Sequence, residues 1–111
     1  MNHKNKRWNI QTYNTSKQLL LKAIDTNTPT IILFGSGGNG KTHLICEMRD
    51  LLIKNTYSIV HPDETYFSQK KKFLEYLKNN DAKKILECLF DPYLKWNLSK
   101  DDVAVIDMNT Q

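Results

Sequence analysis

The sequence predicts an α/β domain in which helices cover both faces of a short parallel β-sheet. After a first helix, apolar runs of strand length alternate with amphipathic runs of helix length along the 111 residues, in the order β-α-β-α-α-β. Residues 31–34 are apolar at every position, which is typical of a strand that is covered on both faces. We therefore expect a three-layer α/β/α arrangement with right-handed crossovers.

Composition and charge exclude several protein classes. With 40% hydrophobic and 25% charged residues, the chain has the balance of a globular domain rather than that of a disordered or fibrous protein. The net charge of +4 suits a polyanionic partner and equally an ordinary soluble protein. No apolar run reaches the roughly 18 residues of a membrane span, and residues 1–8 lack the apolar core of a signal peptide. We expect no membrane association and a cytoplasmic location.

Residue usage adds two expectations. Lys occurs 14 times and Asn 11 times, a bias that suggests an AT-rich viral source, for which the location would be the host cytoplasm or the virion. The two cysteines, Cys46 and Cys88, have no metal-type spacing and lie in segments that we predict as helices. We expect both to be buried free thiols in a reducing compartment.

The N-terminal part divides into a lead-in and a first helix. Residues 1–14 form a polar, basic lead-in, and residues 15–111 form the domain. Residues 15–18, Thr-Ser-Lys-Gln, have the spacing of a capping box, and apolar residues follow at helical spacing. This pattern predicts a helix over 16–25.

The next segment predicts a strand, a turn and a helix in immediate succession. The strand covers residues 30–34, between Pro29 and Gly35. After a glycine-rich turn, apolar residues recur at helical spacing and predict an amphipathic helix over 41–54. A further apolar run predicts a second strand over 57–61.

The C-terminal half predicts two more helices and a third strand. Phe, Ile and Leu at helical spacing predict helices over 68–79 and 82–90, and the proline at position 92 ends the second. The apolar run at 103–106 predicts a short strand that reaches Asp107.

The main functional signal is the turn between the first strand and the helix at 41–54. Residues 35–42, Gly-Ser-Gly-Gly-Asn-Gly-Lys-Thr, match the pattern G-x-x-x-x-G-K-[ST] at every fixed position. Glycines allow the backbone to come close to a phosphate chain, and the start of the helix adds its unpaired N–H groups. The pattern predicts that Lys41 binds the β and γ phosphates and that the Thr42 hydroxyl is a ligand of Mg²⁺. The alternative is a glycine-rich turn that only joins strand to helix.

This stretch resembles the Walker A motif of P-loop NTPases, and Gly-Gly-Asn-Gly-Lys-Thr is similar to the local sequence of viral superfamily-three helicases and AAA-type ATPases. The resemblance covers residues 30–54. It implies a protein that binds ATP or another NTP with Mg²⁺ and acts as an ATPase on nucleic acid together with other domains or subunits. The nucleotide-binding residues that it implies are Gly35, Ser36, Gly37, Gly38, Asn39, Gly40, Lys41 and Thr42.

Asp107 is the second candidate site residue. P-loop enzymes place an acid at the end of a neighbouring strand to hold the magnesium shell, and residues 103–107 have that pattern, four apolar residues and then a carboxylate. In a parallel sheet this end lies at the same edge as the phosphate loop. We therefore predict Lys41 and Asp107 as catalytic residues, and Thr42 and Asp107 as metal ligands. The alternative is an aspartate that simply ends a strand.

Parts of an ATPase are not evident in the sequence. Met108 and Asn109 follow Asp107, where the ATPases that the chain resembles commonly have a glutamate that orients the attacking water. The chain has two arginines, so an arginine for the transition state would come from Arg7 or from another subunit. A sheet of three strands is also short for this class. We expect a truncated domain, or an oligomer or partner subunit that completes the sheet.

Other functions and partners stay open. Asp63 or Glu64, after the second strand, would be the base of a P-loop nucleoside or nucleotide kinase, but they also fit a solvated loop. A further alternative is a non-catalytic nucleotide-binding assembly module. The lysines at 70–72 and the basic lead-in would suit a nucleic-acid backbone, but a solvated helix face and tail is the simpler interpretation.

Overall fold

The computed structural model describes residues 9–36, 40–60, 69–79 and 82–109. Helices and strands alternate along these residues. Their bounds are α1 Ile10–Asp25, β1 Thr30–Phe34, α2 Lys41–Lys54, β2 Ser58–Val60, α3 Lys70–Asn79, β3 Lys84–Cys88, α4 Pro92–Lys95 and β4 Val103–Asp107.

The strands form a parallel sheet in the order β2-β3-β1-β4. β1 pairs with β3 on one side and with β4 on the other, so the strand that leads into the glycine-rich turn has a neighbour on each side. Leu33 lies beside Glu87 and Ile106, and the next row along the sheet places Phe34 beside Cys88 and Asp107. The predicted α/β class with a parallel sheet is confirmed. The described sheet has four strands, one more than the sequence predicts.

The additional strand is β3, and the predicted helix over 82–90 is wrong. All five residues of β3, Lys84–Cys88, are buried. The apolar residues of this segment have the spacing of a helix. A strand that is covered on both faces lacks the alternation of apolar and polar residues by which a strand is usually recognised in a sequence. The two charged residues inside the run, Lys84 and Glu87, reinforce the resemblance to an amphipathic helix.

Helices cover both faces of the sheet. On one face, α1 and α2 pack through Leu20, Leu44 and Leu52 against Ile31 and Leu33 of β1. On the other face, Phe73 of α3 and Tyr93 of α4 pack against Ile32, Leu86 and Cys88. Successive residues of β1 therefore belong in turn to the two cores, which explains why residues 31–34 are all apolar.

Helix α1 is longer than the predicted helix and begins at Ile10 rather than at residue 16. Asn9 caps it, because its side-chain oxygen accepts hydrogen bonds from the backbone N–H groups of Gln11 and Thr12. The predicted capping box is wrong, since residues 15–18 lie inside the helix. The apolar periodicity weakens toward the N-terminus of α1, so the asparagine cap is the better signal for its start.

The cysteines lie in different environments. Cys88 is a buried free thiol, as predicted, but it lies in a strand rather than a helix. Cys46 is also free, and it lies in α2, but it is exposed, so the prediction that it is buried is wrong. In the described ranges, no helix combines the length and the apolar character that a membrane crossing requires.

Candidate functional site

The candidate site lies where β1 ends and α2 begins. The structure describes Gly35, Ser36, Gly40, Lys41 and Thr42 of the predicted phosphate loop, whereas residues 37–39, Gly-Gly-Asn, lie outside the described residues. Gly40 stands immediately before α2 with φ of 88°, a left-handed conformation that a glycine adopts without steric cost. As the N-cap residue of α2, Gly40 makes no side-chain hydrogen bond to the first turn of the helix. Backbone N–H groups in the first turn of a helix are donors that can bind an anion.

Lys41 is a buried cation at this helix terminus. The residue is 6% exposed, and its ammonium group donates hydrogen bonds to the backbone oxygen of Gly35 and, at 3.1 Å, to that of Ser36. Burial lowers the pKa of Lys41, while the negative charge of Glu87 acts in the opposite direction. The backbone oxygens of Gly35 and Ser36 thus contact a positive charge that is poorly solvated, and such a charge favours the approach of an anion.

Thr42 contacts an acid that the sequence does not identify as a site residue. Its hydroxyl donates a hydrogen bond of 3.0 Å to the Oε2 atom of Glu87, which is 5% exposed near the end of β3. Glu87 lies in the row of Leu33, on the face of the sheet that carries α2, so side-chain alternation directs it toward the start of that helix. A hydroxyl and a carboxylate are both hard oxygen ligands, the kind that Mg²⁺ prefers.

Asp107 lies at the same edge of the sheet but in the neighbouring row. It is exposed, and it pairs with Phe34, whereas Glu87 pairs with Leu33. Its Oδ1 atom accepts a hydrogen bond of 2.8 Å from the backbone N–H of Asn109. The predicted roles of Asp107 in catalysis and metal binding stay predictions.

Asn109 connects the end of β4 to the phosphate loop. Its side-chain oxygen accepts a hydrogen bond of 3.1 Å from the backbone N–H of Ser36. One residue earlier, the N–H of Met108 donates to the backbone oxygen of Phe34 at 2.9 Å, and the Met108 side chain is buried. Met108 and Asn109, which stand where the resemblance to ATPases leads us to expect a glutamate, therefore connect β1 and the start of the loop to the end of β4 through hydrogen bonds.

The sequence contains a pattern that would identify Glu87 as a candidate site residue, but only if residues 84–88 are interpreted as a strand and not as part of a helix over 82–90. Read as a strand, Lys-Ile-Leu-Glu-Cys places an acid one residue before the carboxyl end of a buried run. In a parallel sheet, an acid at that place lies close to any loop that leaves the carboxyl end of the next strand.

Within the described ranges, no three His, Cys, Asp or Glu side chains cluster closely enough to hold a metal ion by themselves. Magnesium in nucleotide sites generally needs only one or two carboxylates beside phosphate oxygens and water. Thr42 and Glu87 fit that smaller requirement.

Several predicted residues lie elsewhere. Arg49 is exposed on α2, and the three lysines at 70–72 are exposed in the first turn of α3. The candidate kinase bases Asp63 and Glu64, and the basic residues at 1–8, lie outside the described residues.

Comparisons of the chain with protein-family models, with curated proteins and with solved structures found no match.

Proposed function

We propose that this chain binds a nucleoside triphosphate with Mg²⁺ at residues 35–42 and hydrolyses it, as a P-loop ATPase does. One observation carries the proposal. Lys41 is buried at the end of a phosphate-loop sequence, and the hydroxyl of the next residue, Thr42, donates a hydrogen bond to the buried carboxylate of Glu87. A turn that only joined a strand to a helix would not require a buried lysine and a buried glutamate, and burying each of these charged groups costs desolvation free energy.

Lys41 would bind the outer phosphates. Its ammonium group now donates to backbone oxygens of Gly35 and Ser36, which carry partial charges only. Phosphate oxygens are stronger acceptors because they are fully charged, so the lysine gains by exchanging these partners for the ligand. The N–H groups in the first turn of α2 would donate to the same anion.

Thr42 and Glu87 would hold the metal. Bound Mg²⁺ neutralises charge on the phosphates and so favours attack at the γ-phosphorus. The Thr42 hydroxyl is the ligand that the loop pattern predicts, and Glu87 lies within hydrogen-bonding distance of it. A carboxylate at this place accepts hydrogen bonds from water, which makes Glu87 a candidate for orienting either metal-bound water or the attacking water.

Action on nucleic acid is the second part of the proposal. The exposed lysines at 70–72 and the net charge of +4 are compatible with contacts to a phosphate backbone. Addition of single-stranded or double-stranded DNA to the hydrolysis assay tests this part by itself. Stimulation that disappears when all three lysines are replaced by glutamine supports it, and a rate indifferent to DNA counts against it.

The core proposal is tested by nucleotide binding and phosphate release in the presence of Mg²⁺. Lys41→Ala is compared with Lys54→Ala, which removes an exposed lysine at the other end of the same helix. We expect Lys41→Ala to weaken binding by about 100-fold or more, since a charge-assisted contact contributes about 3 kcal/mol, and Lys54→Ala to bind as the parent does.

Product analysis separates the alternatives. Free phosphate supports the ATPase, and phosphate transferred to a nucleoside or nucleotide would instead show a kinase. Tight binding without turnover would show a non-catalytic module. Equal affinity of the parent and Lys41→Ala would contradict nucleotide binding at the loop.

A further inference from the structure

A cleft of about 390 Å³ opens beside the phosphate loop, between the first half of α1 and the end of β4. One wall carries side chains of α1, and the other is formed by Asp107 and Asn109. The residues of α1 that the argument uses are Gln11, Thr12, Thr15 and Leu19. Asn109 belongs both to this wall and to the loop, because its side-chain oxygen accepts the hydrogen bond from Ser36.

The strand order gives the cleft a definite place relative to the proposed metal site. Glu87 belongs to β3, on one side of β1, whereas the cleft lies along β4, on the other side. If the outer phosphates and the metal lie toward Thr42 and Glu87, the rest of a nucleotide extends from the loop in the opposite direction. That direction leads to the cleft.

The chemistry of the lining suits a nucleoside rather than a phosphate. Of the described residues that line the cleft, Asp107 is the one charged residue, and it is an acid. The α1 wall offers the amide of Gln11 and the hydroxyls of Thr12 and Thr15, with the apolar side chain of Leu19 at its end. An amide can donate to and accept from the edge of a base at the same time, and hydroxyls can pair with a ribose.

We propose that this cleft holds the base and ribose of the nucleotide whose phosphates bind at residues 35–42, with Gln11 as the residue that contacts the base. The assignment rests on the proposed function, since it needs the phosphates in the loop. It goes beyond that function by assigning nucleoside recognition to α1, a helix that precedes the phosphate loop in the chain.

The first test fills the cleft. Thr15→Phe places a ring against the cleft, and Asn14→Phe places the same ring on an exposed neighbour that does not line it. Both variants and the parent are titrated with inorganic tripolyphosphate and with each of ATP, GTP, CTP and UTP, always with Mg²⁺. Circular dichroism shows whether each variant is folded.

We expect the parent and Asn14→Phe to bind the preferred nucleotide at least about tenfold more tightly than tripolyphosphate, the gain that two or three neutral hydrogen bonds provide. Thr15→Phe should bind the nucleotide no more tightly than tripolyphosphate, and both with the affinity that the parent has for tripolyphosphate. The inference is overturned if Thr15→Phe keeps the preference for the nucleotide. It is also overturned if the parent binds tripolyphosphate as tightly as any nucleotide, and this second result would leave the proposed phosphate site intact. A parent that binds neither ligand overturns both proposals.

A second pair of variants tests the contact with the base. Gln11→Ala should weaken binding of the preferred nucleotide by roughly three- to tenfold and leave tripolyphosphate binding unchanged. Gln18→Ala, an exposed glutamine of the same helix outside the cleft, is the control. Equal nucleotide affinities of the two variants would remove Gln11 from the site.

Discussion

Glu87 accepts a hydrogen bond from the hydroxyl of Thr42, although the two residues stand 45 positions apart in the sequence. The contact exists because β3 inserts between β2 and β1, so that Glu87 comes to lie beside Leu33. It places a hydroxyl and a carboxylate, the kinds of oxygen group that Mg²⁺ prefers, side by side at the end of the proposed phosphate loop.

The proposed role of Glu87 in metal binding predicts a specific change in the magnesium dependence of nucleotide binding. Glu87→Gln keeps the size of the side chain and its ability to accept from Thr42, but it removes the negative charge. We expect the Mg²⁺ concentration needed for half-maximal nucleotide binding to rise by about tenfold or more. Glu75→Gln, which changes an exposed acid of α3, should leave that concentration unaltered. An identical magnesium requirement in both variants would show that Glu87 is not part of the metal site.

The second core, formed by α3 and α4 with the sheet, predicts a large effect of one aromatic residue. Phe73 is fully buried and packs edge-on against the ring of Tyr93. Phe73→Ala should lower the free energy of unfolding by about 3–5 kcal/mol, because it leaves a cavity between the helix and the sheet. The neighbouring Leu74→Ala, at a position that is 39% exposed, should cost far less. Urea denaturation measures both, and equal losses would contradict the packing of α3.

Thiol reactivity should distinguish the two cysteines. Burial raises the pKa of Cys88 to about 12, so only about one thiol in 10,000 is ionised at pH 8. Cys46 is exposed on α2. A thiol reagent should therefore modify Cys46 rapidly in the folded protein and Cys88 only after denaturation. Cys46→Ser should abolish the rapid phase; a rapid phase that survives this change would mean that Cys88 is accessible.

The contact between α1 and α2 predicts a dependence of stability on pH. Glu47 accepts hydrogen bonds from Lys17 and from the Tyr13 hydroxyl, and these lower the pKa of Glu47 in the folded protein. A lowered carboxyl pKa stabilises the fold above the unfolded pKa and loses this effect as the pH falls through the folded value. Glu47→Gln should therefore lower the melting temperature modestly at neutral pH.

The difference between Glu47→Gln and the parent should shrink as the solution is acidified. Asp50→Asn, an exposed change on the same helix, controls for the general loss of a charge on α2. A difference in melting temperature that stayed constant from neutral to strongly acidic pH would show that the ionised carboxylate of Glu47 does not stabilise the contact.

Local signals were sufficient to predict β1, α2 and β4 from the sequence. Each is bounded by residues with a clear physical effect, such as Pro29 before β1 and Gly40 before α2, and each has the length expected of its class. The loop between β1 and α2 could be predicted for the same reason, since its pattern is contiguous in the chain.

The part of the site that could not be predicted depends on tertiary structure. Residues 84–88 form a strand because both of their faces are covered, a fact that their own spacing does not encode. Glu87 lies beside Thr42 because β3 pairs with β1, and the sequence alone does not specify that pairing. The cleft along α1 likewise depends on a helix start at Ile10 that the apolar pattern did not reveal.

The most direct measurement of the central claim is a crystal structure of the protein with Mg²⁺ and a non-hydrolysable ATP analogue. The account predicts that the outer phosphates lie against residues 35–42. It further predicts that the Lys41 ammonium has exchanged the Gly35 and Ser36 oxygens for phosphate oxygens, and that Glu87 lies beside the metal. An analogue bound elsewhere, or a Lys41 ammonium still donating to the loop with the analogue at saturating concentration, would contradict it.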